Sequence, residues 1–368
     1  MIQKLLYLTY IPLEETPTSG SSVRPLKMKE ALEGLGIEVK SFGGISNNFA
    51  VRKKTVARVR ELLKSWKPDA CYIEPPSGPM FYPGDVGLIK QLHREGIPLS
   101  LFYRDAYWRY PSYAEEGKPS FVGRGKRFVV KQMQKHQWEL FRKHIDLLYF
   151  PSETMAQEFD CPCKGILPPG GFVPDIQEKT ETSCPLQFIF VGGAARNHGT
   201  FLTIEAFSAL NRGKVKAKLF YICPREQWEA LGISRKEHAE WLEVIHTSGD
   251  ENLKPYYARA DAAVLTAPRT FYRDFAIPIK IFEYLSYLKP ILVTNCTETA
   301  RIVEENGLGW VTEDQAESVR KRLEELCAHP EEIERVRAGM KEARSRHLWA
   351  SRAEQVVKDL EAVIARKS

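Results

Sequence analysis

The 368-residue sequence predicts an α/β protein built from two successive parallel-sheet units. Three observations predict it. Short apolar runs alternate with helical patterns along the whole chain. The alternation pauses once, in a polar stretch with two prolines at 172–185, and then restarts. The length exceeds what one ordinary core holds and suits two.

In chain order, Lys4–Thr9 reads as a buried strand and Pro12–Val23 as a loop rich in Thr, Ser and Gly. Arg24–Leu35 reads as a helix stopped by Gly36, and Ile37–Phe42 as a second strand. Val51–Trp66 is a strongly basic helix, and Asp69–Ile73 a strand ending at Glu74-Pro75-Pro76. Val86–Glu95 reads as a helix and Pro98–Tyr103 as a strand. Arg124–His144 is a long helical stretch with basic residues between apolar ones. Leu147–Phe150 and Cys163–Leu167 are short strands, the second ending at Pro168-Pro169-Gly170-Gly171.

Beyond 172–185 the strands are Leu186–Val191, Ala217–Ile222, Leu242–His246, Ala262–Leu265 and Pro290–Thr294. The helices between them are Gly199–Leu210, Glu251–Arg259, Ile279–Leu288 and Glu298–Glu305. From Ala316 the chain is largely helical, with breaks near Pro330 and near 348–350. The expected domains are 1–168 and 169–345, with a final helix at 346–368 packing back on the first. Two such units would face each other across a deep cleft. Ligands in open α/β sheets bind outside the carboxyl ends of the strands, so the loops there are where chemistry is sought.

Hydrophobic residues make up 43% and charged residues 27%, a composition of water-soluble globular proteins. No run approaches the roughly 18 apolar residues of a membrane span. The opening MIQKLLYLTYIP has a short apolar run without a small-residue cleavage site, which argues against a signal peptide. Seven cysteines with no CxxC spacing fit a reduced, cytoplasmic chain. Charge is uneven. Residues 1–168 carry 25 Lys/Arg against 18 Asp/Glu, whereas the remainder carries 28 against 29. A basic first half suits an anionic membrane surface, a phosphorylated acceptor or nucleic acid, or is simply a solvated face.

Four segments carry candidate chemistry. Thr18-Ser19-Gly20-Ser21-Ser22-Val23-Arg24 opens the first helix and reads as an anion or acceptor-hydroxyl loop, or as a cap without ligand. It lacks the GxGxxG dinucleotide fingerprint. Tyr103-Arg104-Asp105 follows an apolar strand; Asp105 is placed to orient a hydroxyl or accept a proton and Arg104 to hold an anion, unless they form a structural pair. Tyr107 and its aromatic neighbours suit a sugar face or ordinary packing. Gly192-Gly193-Ala194-Ala195-Arg196-Asn197-His198-Gly199 lies between a strand and a helix, where glycines let a phosphate approach backbone amides and Arg196 and His198 add charge. In the segment Arg273–Leu285, Pro278 starts a helix, and Lys280 and Glu283 share one face. One suits a phosphate and the other a ribose diol; an ordinary surface ion pair is the alternative. No metal-ligand spacing, Walker loop, HExxH or GxSxG elbow occurs.

The second half resembles the retaining GT-B glycosyltransferases called family 4, the group 1 glycosyl transferases of bacterial polysaccharide and glycoconjugate biosynthesis. FVGGAARNHGTFLTIEAF (190–207) resembles the family's phosphate loop, LKPYYARADAAVLTAP (253–268) its helix–strand unit, and ENGLGWV (305–311) the turn near the nucleotide. IPIKIFEYLSYLKPILVTN (277–295) resembles its P.K..EYLA.GKPV signature, the most specific match. In the first half, SGSSVRPLKMKEALEGLGIEV (19–39) resembles the acceptor-side loop and helix, IPLSLFYRD (97–105) the strand that carries an active-site His, and ILPPGG (166–171) the entry to the second domain.

The resemblance implies a nucleotide-sugar-dependent glycosyltransferase of GT-B fold. Glu283 would hold the donor ribose, Lys280 would lie beside the phosphates, and the amides of Gly192 and Gly193 would approach the diphosphate. Glu298 and Thr299 would touch the nucleotide. Ser19, Gly20, Arg24 and Tyr107 would serve the acceptor, and Arg104, Asp105 and Lys280 the catalysis. Departures are visible. The basic residues of the family's phosphate loop are replaced by Gly193 and His198, its usual His by Arg104, and the first of its two paired glutamates by Phe275, with Asp274 beside it as a substitute. The donor would be a UDP- or GDP-linked sugar with no metal. The acceptor would be a sugar, a polysaccharide or a lipid-linked molecule at the inner membrane face, and no nucleic-acid partner is expected. A GT-B epimerase-like or phosphorylase-like enzyme and a non-catalytic sugar- or nucleotide-binding module are the alternatives.

Overall fold

The computed structural model describes residues 1–13, 20–106, 108–109, 121–234 and 238–367. The chain forms two compact units, Met1–Pro168 with Trp349–Ser368, and Pro169–Leu348.

The first unit runs β1 (Lys4–Thr9), α1 (Gly20–Glu33), β2 (Glu38–Phe42), α2 (Phe49–Leu62), β3 (Ala70–Glu74), α3 (Pro83–Arg94), β4 (Leu99–Phe102), α4 (Phe121–His144), β5 (Leu147–Phe150), α5 (Glu153–Gln157) and β6 (Lys164–Ile166). All strands are parallel, in the order β2-β1-β3-β4-β5-β6. Strands β3, β4 and β5 are buried at every residue, which is why they read as unbroken apolar runs rather than alternating ones. The edge strands β2 and β6 are more exposed.

Helix α1 starts at Gly20, four residues before the predicted Arg24. Pro25 lies inside the helix, where a proline removes only one i→i−4 bond, and the turn before it stays helical. The basic helix α2 buries one of its cations: Arg52 is 2% exposed and lies 2.7 Å from Asp85 of α3, while its Nη1 donates to the Thr9 carbonyl at 3.2 Å.

The second unit runs β7 (Leu186–Val191), α6 (Thr200–Leu210), β8 (Ala217–Ile222), α7 (Arg225–Glu229), β9 (Leu242–Ile245), α8 (Asp250–Arg259), β10 (Ala262–Leu265), α9 (Phe271–Phe275), α10 (Ile279–Ser286), β11 (Ile291–Thr294), α11 (Thr297–Glu305), β12 (Gly309–Thr312), α12 (Ala316–Ala328) and α13 (Glu331–Arg346). Its parallel order is β12-β11-β10-β7-β8-β9. Alternate residues of β7 feed opposite layers. Phe188 and Phe190 pack with Phe207, Leu219 and Leu323, and Ile189 and Val191 pack with Phe220, Ile281 and Met340. The result is a sheet covered by helices on both faces. The polar stretch 172–185, expected to pass between domains, is part of this unit. Asp261 anchors it, accepting from the amides of Ser183 at 3.0 Å and Gln187 at 2.7 Å and pairing with Lys179 at 2.6 Å.

The last helix, α14 (Trp349–Lys367), belongs to the first unit. Gln355 donates to the Ile166 carbonyl at 3.0 Å, Asp359 accepts from the Tyr149 hydroxyl at 2.9 Å, and Glu361 accepts from the Ile2 amide at 2.8 Å. Ala353, Val356 and Leu360 of α14 are fully buried.

Candidate functional site

In each sheet one crevice is fixed by strand order, because neighbouring strands there send their connections to opposite faces. In the second unit that point lies between β7 and β10, so the loops after those strands face each other across it.

The loop after β7 contains the turn Arg196–His198 and ends at Gly199, whose φ is +80°. Gly199 is obligatory, since a Cβ there would stand 1.7 Å from the Thr266 carbonyl oxygen at the end of β10. Thr203 of α6 donates to the Gly199 carbonyl at 2.8 Å, and its oxygen lies 2.6 Å from the Thr266 hydroxyl. Thr200 receives the Ala195 amide at 3.0 Å, and Gln227 receives the Ala194 amide at 3.0 Å. The loop is therefore held rigidly from within.

This accounting revises one expectation. The Gly192 amide donates to Ile222 at 3.0 Å as a continuation of the sheet, so it is spent on the fold. The Gly193 amide carries no hydrogen bond among the described residues. His198 sits over Gly193, its Nδ1 lying 3.0 Å from the Gly193 carbonyl, and a Cβ on Gly193 would collide with that ring at 2.7 Å. Arg196 is exposed, its guanidinium 4.3 Å from the centroid of Phe201.

The loop after β10 leads to α9 and α10. Arg273 donates to the Asn197 carbonyl, tying α9 to the glycine loop. A small recess beside it is lined by Ala267, Arg273, Pro278, Thr294, Cys296 and Thr299. The Asp274 carboxylate is engaged within the fold. It bonds Arg269 at 2.9 Å and accepts from the Thr297 amide at 3.0 Å, holding the start of α11.

Pro278 stands at the N-terminus of α10, where its fixed φ and missing N–H cost nothing. Lys280 and Glu283 then fall one turn apart, with Lys280 Nζ 2.5 Å from Glu283 Oε2. The other carboxylate oxygen, Oε1, accepts from the Tyr257 hydroxyl at 2.6 Å. Burial raises the Tyr257 phenol well above its ordinary range, and the adjacent Glu283 charge adds to the effect, so it remains a donor. Glu298 is 1% exposed and lies 2.6 Å from Arg301, one turn along α11. That pair braces the helix, and Thr299, not Glu298, lines the recess.

In the first unit the corresponding point lies between β1 and β3. The calls on Ser19 and Tyr107 fall outside the described residues. Gly20 begins α1 and Arg24 is 5% exposed within it. Arg24 Nε donates to Glu74 Oε1 at 3.1 Å and its Nη1 to the Leu167 carbonyl at 3.2 Å, while its guanidinium lies 3.5 Å from the centroid of Phe102. Glu74, at the end of β3, also accepts from the Tyr72 hydroxyl at 2.7 Å and from Arg104 Nη2 at 3.3 Å. Arg24 and Arg104, separated by 80 positions, thus meet on one buried carboxylate that sequence reasoning did not assign. A charge closing an apolar strand before Pro75-Pro76 was the available signal. Asp105 and Arg104 line a recess with Pro75, Ser77, Gly78 and Gln134. Tyr257, the other unassigned member, had no local signal, because it stands on a different helix from Glu283.

Among the described residues no group of three or more His, Cys, Asp or Glu side chains is placed to hold a metal ion, and no helix is long and apolar enough to cross a membrane.

Solved structures with this architecture are glycosyltransferases of GT-B fold. Sucrose-phosphate synthase from Thermosynechococcus elongatus has a TM-score of 0.70 at 13% identity, covering 99% of this chain and 100% of its own. An α,α-trehalose-phosphate synthase from Burkholderia xenovorans, solved with glucose-6-phosphate, has a TM-score of 0.66 at 12% identity, covering 97% and 100%. HepE of Anabaena, solved with UDP, has a TM-score of 0.63 at 11% identity, covering 98% and 100%. At such identities the likeness shows the fold alone. No curated protein matches the chain by sequence. Residues 185–329 match the family model described as Glycosyl transferases group 1. The chain thus has the GT-B fold of these structures, and the stretch that matches the group 1 glycosyl transferases lies within its second unit.

Proposed function

We propose that the second unit holds a nucleoside-diphosphate sugar and that its sugar is transferred, with retention of configuration, to an acceptor hydroxyl bound by the first unit. The observation that carries this reading is the Lys280–Glu283 pair at the start of α10, close behind the strand ends where α/β sheets bind ligands. A carboxylate reads a ribose diol well, and an ammonium one turn away is suited to phosphate.

In this reading the Gly193 amide and the first turn of α6 receive the diphosphate, with Arg196, Arg273 and Lys280 supplying positive charge. The acceptor oxygen attacks the anomeric carbon as the bond from that carbon to the diphosphate oxygen breaks. The hydroxyl proton passes to an oxygen of the departing phosphate, and the cations stabilise the charge that develops there. Most of the acceleration comes from placement and from this fixed electrostatic field. Arg104 and Asp105, with Arg24 behind them on Glu74, shape the acceptor side. No metal enters the reaction.

A UDP- or GDP-linked sugar is the donor, and the UDP in the Anabaena structure supports uridine as the first choice. The acceptor is a sugar, a polysaccharide or a lipid-linked molecule. The protein works in the cytoplasm, and the basic residues of α2 and α4 suit peripheral contact with an anionic membrane. Arg124, Lys126, Arg127, Lys131 and Lys135 of α4 precede its first acidic residue, Glu139. Thermal stabilisation by UDP, GDP or ADP, measured in the full chain and in Glu283→Ala, tests the donor site. One nucleotide should raise Tm in the wild type and not in the variant. No shift with any of the three overturns the reading.

A further inference from the structure

We infer that Tyr257 of α8 is a positioning residue of the donor site, holding one oxygen of Glu283 so that the other is free to exchange Lys280 for the ribose. The inference rests on the donor reading given above and extends it to a residue that does not touch the nucleotide.

Three observations carry it. The Glu283 carboxylate divides its oxygens, Oε1 taking the Tyr257 hydroxyl at 2.6 Å and Oε2 taking Lys280 at 2.5 Å. Tyr257 is fully buried and its ring stacks on Tyr287 at 3.9 Å with planes 7° apart, so its hydroxyl is fixed in place. Lys280 and Glu283 are only partly buried, so their contact is the one a ligand reaches. A carboxylate held by one charged partner on a flexible stem turns with it. A carboxylate held through a second oxygen by a buried phenol keeps its plane when the lysine leaves. Donor arrival then draws Lys280 toward phosphate and leaves Oε2 aimed at the ribose hydroxyls, at no cost in reorientation.

Tyr257→Phe removes the hydroxyl and keeps the stack on Tyr287, which makes it a clean test. Calorimetry on the full chain would compare UDP, GDP and ADP with their 2′,3′-dideoxy forms. In the wild type the best of the three should bind more tightly than its dideoxy form. Tyr257→Phe should weaken the ribonucleotide about tenfold and leave the dideoxy form almost unchanged, since what is lost is a hydrogen bond to a charged group. Tyr284→Phe, which removes another buried hydroxyl, one bonded to the Val191 amide at 3.0 Å, should leave the ratio of the two affinities intact. Glu283→Asp, which draws the carboxylate back from Tyr257, should narrow the ratio as Tyr257→Phe does, and it serves if that variant does not fold. An unchanged ratio in Tyr257→Phe beside a collapsed one in Glu283→Ala overturns the inference and leaves the donor reading standing. An unchanged ratio in Glu283→Ala overturns both.

Discussion

The Cα of Gly199 lies so close beneath Thr266 that a single methyl group would meet the Thr266 carbonyl oxygen at 1.7 Å. Two loops from neighbouring strands are in backbone contact at the point where the sheet reverses its strand order. Gly213 provides a matched comparison, with a φ of +79° and nothing within 4 Å of its missing Cβ. Gly213→Ala should cost about 1 kcal/mol, the ordinary penalty of a left-handed alanine. Gly199→Ala should cost at least about 3 kcal/mol, or prevent folding, because the backbone must also move. Urea unfolding of the two variants makes the comparison, and equal costs would refute it.

Lys280 is expected to act at the transition state more than in binding. Lys280→Met should lower kcat, and kcat/KM with it, by about a hundredfold, as loss of a charge facing a developing oxyanion does. Glu283→Gln should act mainly through KM. Steady-state kinetics with the sugar conjugate of the stabilising nucleotide would separate the two, and a pure KM effect in Lys280→Met would remove it from the chemistry.

Arg52 and Asp85, almost entirely buried and 2.7 Å apart, should be costly to separate. Burial raises the Asp85 carboxyl and Arg52 works against that rise, so the acid depends on its partner. Arg52→Met should destabilise the first unit by about 3 kcal/mol or more. The double change Arg52→Met with Asp85→Leu should recover a large part of that loss, because no uncompensated charge remains. Chemical denaturation of the three variants tests this.

Lys289 is 1% exposed, and its Nζ donates to the Ala260 carbonyl at 2.9 Å. Burial first, and then the charges of Arg337 and Lys179, lower its pKa to about 7, with Asp261 and Glu178 opposing. Between that value and the ordinary lysine value of about 10.4, the unfolded chain binds the proton and the folded chain does not. Stability gained from this group therefore rises with pH across the window, by up to about 1.4 kcal/mol per unit, and is flat below it. Subtracting the profile of Lys289→Met from that of the wild type isolates the contribution. A difference that does not change between pH 7 and 10 would contradict it.

The central strands were legible because burial on both faces makes each a continuous apolar run: the ends of Lys4–Thr9, Leu147–Phe150 and Leu186–Val191 agree with the sequence reading to the residue. The five-residue helices α5, α7 and α9 were not, since one turn carries no period to detect. Strand β12 is only half buried and has no apolar signature. In the site, Lys280 and Glu283 were legible because three positions along a helix make neighbours. Their connection to Tyr257 and the meeting of Arg24 with Arg104 on Glu74 were not, because tertiary folding alone brings those residues together. The amide of Gly192 was misjudged because a glycine's sequence position does not say whether its N–H still serves the sheet.

Helix α14 gives the chain an order of assembly. The first unit is interrupted by 180 residues, from Pro169 to Leu348, before its own last layer is supplied. On the ribosome, the second unit can finish while the first still lacks the helix that covers Tyr149 and Ile166. A chimera joining residues 1–168 to a foreign second unit therefore also needs Trp349–Lys367, and a nick just before Trp349 frees a piece of the first unit rather than the tail of the second.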